Sequence, residues 1–163
     1  MHTRLLALVA VALLAVPVRA QAPPAESYKL DDLKPLVATI AKADKVILHE
    51  GLPHPLWEKK ELTAEKQAKK TVVIAGWSFY AEPLPLTAGD AKTLADLIGP
   101  ANGLAAFGGE KKCGGFHPDY AIEWRVGKVT YHALVCFGCG EVKVYGAGKA
   151  VRATTGQRPW SRC

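Results

Sequence analysis

Two short stretches carry side chains that could hold a metal ion or exchange electrons: Cys113 and His117 in "CGGFH", and Cys136 and Cys139 in "CFGCG". Zinc takes a tetrahedron of thiolate and imidazole donors, and a tight turn presents two sulfurs to one ion. C-x3-H followed by C-x2-C-G supplies such donors, with the second half shaped like a zinc knuckle. We therefore expect Cys113, His117, Cys136 and Cys139 to bind zinc or a similar ion, mainly to fix the loop that carries them. The same residues allow two other readings. A disulfide could join Cys136 to Cys139, or either one to Cys113, as is natural in an exported chain. Thiol–disulfide exchange could run through the Cys136/Cys139 pair with Cys113 or a client. The usual redox pair sits at a helix N-terminus that lowers the thiol pKa, whereas this one falls in a strand reversal. Cys163 ends the chain as a tail thiol, free or paired with a second chain.

The elements that must position these residues are strands. With Gly127-Lys128 as a two-residue hairpin loop, Val126 faces Val129, Trp124 faces Tyr131, Ile122 faces Ala133 and Tyr120 faces Val135. Taking Phe137-Gly138 as a second such loop sets Val135, Ala133 and Tyr131 against Gly140, Val142 and Val144, and makes Cys136 and Cys139 neighbours at ~5.5 Å between Cα atoms. These apolar residues share one face. Glu123, Arg125, Thr130, His132, Glu141 and Lys143 share the other, the alternation of an antiparallel sheet with one wet side. Asp119 then opposes Cys136, which brings the Cys113–Asp119 segment beside the cysteine turn. His132 is expected at the surface near Glu123, too far along its strand to be a ligand.

Upstream, Leu30, Leu33, Leu36, Val37 and Ile40 recur at helical spacing behind Asp31 and Asp32, which predicts a helix to about Ala43 with Pro35 in its first turn. A short strand follows over Lys45 to His49. A charged helix spans about Pro55 to Lys70, a second strand Thr71 to Ala81, and a third helix Thr87 to Ile98, stopped by Gly99-Pro100. Helices early and a C-terminal three-stranded meander late give an α+β domain, with an antiparallel sheet and helices packed on one face. One domain over residues 29–150 is expected, between a disordered tail at 21–28 and an irregular tail at 151–163. Trp77, Phe79 and Tyr80 read as strand packing.

Met1 to Ala20 joins a short start holding His2 and Arg4 to an apolar run from Leu5 to Val16, the pattern of a signal peptide cut after Ala20. The run is too short for a permanent span. A chain exported to the periplasm or the medium, with no stable membrane insertion after cleavage, is the expectation. The formal charge of +6 falls to about +4 once Arg4 and Arg19 leave. Charge concentrates only at Glu58 to Lys70, where acids interleave as on a solvated helix face, so nucleic acid is not an expected partner. The partner class, protein or small molecule, stays open.

"ILHEGLPHPLWE" adds His49, Glu50, His54 and Glu58. Acid–base or metal chemistry needs a further group fixed against them, and none is legible. The plainer reading is a strand exit, a Gly-Leu-Pro turn and a helix opened by Pro55, with Trp57 packed beneath. No nucleophile, base and oxyanion donors assemble into a catalytic set, so the reading leans away from an enzyme. Together "ILHEGLPHPLWE", "CGGFHPDYAIEW" and "LVCFGCGEVKVYG" resemble small exported bacterial proteins of uncharacterised function that carry a Cys before a Pro-containing segment and then a C-F-x-C turn. The resemblance runs from about Lys45 to Gly146 and implies that Cys113, Cys136, Phe137 and Cys139 belong together. It transfers no activity, and the chain departs from it after Lys149.

Overall fold

Six strands in the order β1-β9-β8-β7-β6-β2, with β5 added on β9, make the main sheet of the computed structural model, which describes residues 24–99, 103–109 and 115–155. The expected leader Met1–Ala20, the start of the expected tail after it, Cys113, and the chain end from residue 156 to Cys163 lie outside the described residues. In chain order the elements are β1 (Glu26–Ser27), α1 (Leu30–Ile40), β2 (Lys45–Glu50), α2 (Lys59–Ala68), β3 (Thr71–Ile74), β4 (Trp77–Tyr80), α3 (Ala88–Leu97), β5 (Leu104–Ala106), β6 (Tyr120–Val126), β7 (Val129–Cys136), β8 (Glu141–Gly146) and β9 (Lys149–Thr155). All pairings are antiparallel except β1 with β9. The class is α+β, and β6–β9 form a meander.

The β6–β7 register has Val126 opposite Val129, Trp124 opposite Tyr131, Ile122 opposite Ala133 and Tyr120 opposite Val135, as the alternation requires. Gly127 turns the corner at φ 57°, which suits the first central position of a two-residue hairpin loop. On this face α1 lays down Leu33, Leu36 and Ile40, one stripe at helical spacing, over Ile122, Trp124, Val142, Val144 and Val151. Burying each of the larger of these side chains is worth ~1.5–3 kcal/mol. Pro35 stands in the second turn of α1 and not the first. The carbonyl it leaves without a helical partner is that of Asp31, whose side chain is exposed, so water can serve it.

Several expectations are corrected. The Thr71–Ala81 strand is a hairpin, β3 and β4, reversing at Ala75-Gly76. The segment after Lys149 is a fourth meander strand, β9, reached through Ala147-Gly148. Glu26–Ser27 of the expected disordered tail pairs with Ala150–Val151 as β1. The charged helix begins only at Lys59, and Trp57 is 74% exposed instead of packed beneath it. The second sheet face is not wet throughout. Ile74 and Phe79 of the β3–β4 hairpin cover Ala121, Leu134, Tyr145 and Ala150, forming a second apolar cluster. Glu141, expected in solvent, is 2% exposed.

The cysteine turn also differs. Val135 pairs with Val142 and Cys136 with Glu141, two residues out from the expected register. A two-residue loop at Phe137-Gly138 would need φ above zero at one or both of its residues, and neither takes it. Gly140 does, at φ 61°, and its N–H closes the wider turn on the Phe137 carbonyl at 3.1 Å. A slip of two preserves every face assignment, because side chains alternate with period two. Cys139 consequently lies in the turn and not across from Cys136.

Candidate functional site

The sulfur site forms where β7 ends and the turn before β8 begins. The Cys139 N–H donates to Cys136 Sγ at 3.1 Å, and the Cys139 thiol reaches both Cys136 and the Gly115 carbonyl, the latter at 3.3 Å. The His117 N–H also faces the two sulfurs. Both cysteines are 4% exposed. Asp119 locks the arriving segment in place, giving its N–H to the Val135 carbonyl at 2.8 Å and taking the Phe137 N–H on Oδ2 at 2.6 Å.

Electrostatically the two thiols diverge. The Cys139 thiol, helped by the backbone N–H groups of His117 and Cys139 itself, pulls Cys136 below the ordinary thiol value although burial opposes this. The same hydrogen bond, together with burial and the negative charges of Cys136 and Glu141, drives Cys139 well above it. The pair therefore gives up one proton readily and holds the second.

The structure brings Cys136 and Cys139 together with the main chain of His117, and sends the His117 ring the other way. That imidazole meets His54 at 4.6 Å between centroids and bonds the Leu52 carbonyl. Burial, then the nearby His54, hold it below the usual histidine value. Among the described residues no three His, Cys, Asp or Glu side chains converge to hold a metal ion; Cys113 lies outside them.

The His117 ring opens onto a groove of about 470 Å³ between the 50–58 segment and residues 117–120, with Phe137 at its edge. Here the second sequence candidate divides. Glu50, His54 and Glu58 line the groove, whereas His49 is buried and gives its Nδ1–H to the Tyr80 carbonyl at 2.9 Å. Glu58 Oε2 accepts the His54 N–H at 2.7 Å, and His54 Nδ1 accepts the Leu56 N–H at 3.1 Å. The meeting of His54 with His117 was not foreseen. The signal available was that each histidine precedes a proline, which holds its backbone extended.

The other unforeseen feature is a half-buried charge network beside the sulfurs. Arg152 donates from Nε and Nη2 to Glu141 Oε2 at 3.1 and 2.7 Å, and Lys143 pairs with Glu26 at 2.5 Å. Arg152 lies over the Phe107 ring at 3.9 Å and Lys143 over Phe116 at 4.7 Å. His132 pairs with Glu123 at 3.3 Å, the neighbour expected of it, but is half-buried and not at the surface as expected. No helix among the described residues is long and apolar enough to cross a membrane. No family model matches the chain, and neither a curated protein nor a solved structure does.

Proposed function

We propose that the chain is an exported domain in which Cys136 and Cys139, joined by Cys113, bind zinc or a similar thiophilic ion in a mainly structural role, clamping the 113–119 segment onto the end of the meander. The observation that carries this reading is the Cys139 N–H aimed at Cys136 Sγ within a turn closed by Gly140. Backbone N–H groups pointing at a sulfur stabilise the thiolate that a metal requires. The Cys139 contact with the Gly115 carbonyl adds support, because Cys113 is two residues away, at most ~7 Å of chain. In this reading His117 contributes its N–H to the sulfurs and not its imidazole to the ion. Burial of both thiols suits an enclosed ion better than attack on a second protein.

Native mass spectrometry and elemental analysis of mature protein from the exporting compartment test the proposal. One ion per chain is expected, lost in Cys113→Ser, Cys136→Ser or Cys139→Ser and retained in His117→Ala. A mass lower by two hydrogens with no ion overturns it in favour of a disulfide. A second reading, thiol–disulfide exchange, draws on the divergence of the two thiols. It requires ion-free dithiol protein that reduces a disulfide substrate and loses that activity in Cys136→Ser.

A further inference from the structure

The segment from Gly115 to Asp119 works on two sides. Its main chain meets the sulfurs, and its His117 and Asp119 side chains line the groove. The groove walls are built to close tolerance: the Gly51 N–H bonds the Asp119 carbonyl at 2.7 Å, and a Cβ at Gly51 would lie 2.3 Å from the Pro118 carbonyl oxygen. Glu50, Glu58 and Asp119 bring carboxylates to the lining, while among the described residues no lysine or arginine lines it. His54 accepts the Leu56 N–H on Nδ1. Lys69 approaches only from the Tyr80 side, where it is already paired with Glu65, so the three carboxylates leave the lining acidic.

Aromatic faces complete it. Phe137, 55% exposed, meets Tyr120 edge to face at 5.8 Å. The chain already sets one cation on a ring of this groove, since Lys69 Nζ lies 4.6 Å over Tyr80. At the rim Trp57 is 74% exposed and stacks on His54 at 5.8 Å, offering apolar surface to an aliphatic stem. Carboxylates beside open rings attract a cation that is only weakly hydrated, and the volume is that of a side-chain or small-ligand pocket.

We propose that this groove binds an arginine side chain of a partner polypeptide, with the guanidinium between the Glu50, Glu58 and Asp119 carboxylates and the Tyr120 and Phe137 rings, and the stem along Trp57. Its lining is held by the Gly51–Asp119 and Asp119–Val135 main-chain bonds, which need no ion.

The test is a titration of the full mature chain near neutral pH, followed by Trp57 fluorescence with Trp57→Phe as the blank. The probes are a short arginine-containing peptide, the same peptide with citrulline in place of arginine, and butylamine. Saturable binding of the arginine peptide is expected, at least about tenfold tighter than the citrulline peptide and weakened by salt. Glu58→Gln and Phe137→Ala should each loosen it while leaving the melting curve in place. Citrulline binding equal to arginine, or no saturation by any peptide, overturns the proposal. Butylamine binding as tightly as the peptide overturns the polypeptide source.

Discussion

The two faces of the main sheet differ in kind. Under α1 the face is one closed apolar cluster, with Trp124, Ala133 and Val144 wholly buried. The other is apolar only at its centre, beneath Ile74 and Phe79, and around that centre stand Cys136, Glu141, Arg152, Lys143, Glu123 and His132. The first face can be specified by hydrophobicity alone, which is non-directional and tolerates volume-conserving change. The second depends on pairs, each member costly to bury without its partner. Stability should therefore be concentrated on the first face, and sensitivity to single charge or sulfur changes on the second.

The largest effect should come from Trp124→Ala, at about 3–5 kcal/mol lost in urea denaturation. Trp124→Phe should cost far less than the lost volume suggests, because the Trp124 Nε1 finds no hydrogen-bond partner among the described residues and its removal relieves an unsatisfied donor. A loss below about 1 kcal/mol for the alanine variant would remove the contrast between the faces. Next comes Glu141→Ala, expected to cost about 1.5–3 kcal/mol, because it takes both charge-assisted hydrogen bonds from the half-buried Arg152 guanidinium and leaves it only Glu26 at 3.8 Å. The joint change Glu141→Leu with Arg152→Met should recover most of that loss, as replacement of a buried pair by apolar groups commonly does. If the double variant is as unstable as the single one, the pair is not acting through charge. Gly51→Ala ranks third, at about 1–3 kcal/mol of overpacking, because its Cβ meets backbone of Pro118 and Asp119 that no rotamer can move aside. It should also lower ion affinity and arginine-peptide binding together, since one segment builds both proposed sites. Unchanged affinities in a destabilised Gly51→Ala chain would separate them.

What was legible in the sequence follows the same division. The β6–β7 register could be read because Gly127 suits the turn and Trp124, Tyr131, Ile122 and Ala133 alternate without interruption. The two hairpins that escaped reading, β3–β4 and β8–β9, share Ala-Gly loops in which Ala75 and Ala147 take φ 48° and 49°. Alanine gives no hint of a left-handed turn, whereas Asn-Gly would have done so. Once the β3–β4 hairpin is missed, the second sheet face looks solvated, and Glu141 with it. The nearness of Cys136 and Cys139 was visible from C-x2-C. The direction of the His117 ring was not, since it is settled by His54 and the Leu52 carbonyl, both distant in sequence.

Acid provides the mildest test of the contrast, because the histidines with lowered pKa belong to the second face and its edge. Burial is the leading cause for both His132 and His117, opposed at His132 by Glu123 and reinforced at His117 by His54. Each is ordinary, near 6.5, in the unfolded chain. Between that value and the lower folded one the unfolded chain binds more protons. Their contribution to stability is therefore fully present above about pH 6.5 and is lost as the pH falls through the folded pKa values. Most carboxylates titrate lower, so the upper part of this window isolates the histidines. Chelated protein should be used, so that ion release by thiolate protonation does not overlap. The denaturation midpoint should then decline below about pH 6.5, and His117→Asn and His132→Asn should each flatten the decline, whereas substitutions under α1 should shift the whole curve without changing its slope. A decline that survives both histidine changes would place the acid sensitivity elsewhere, and the second face would lose its claim to be the titrating one.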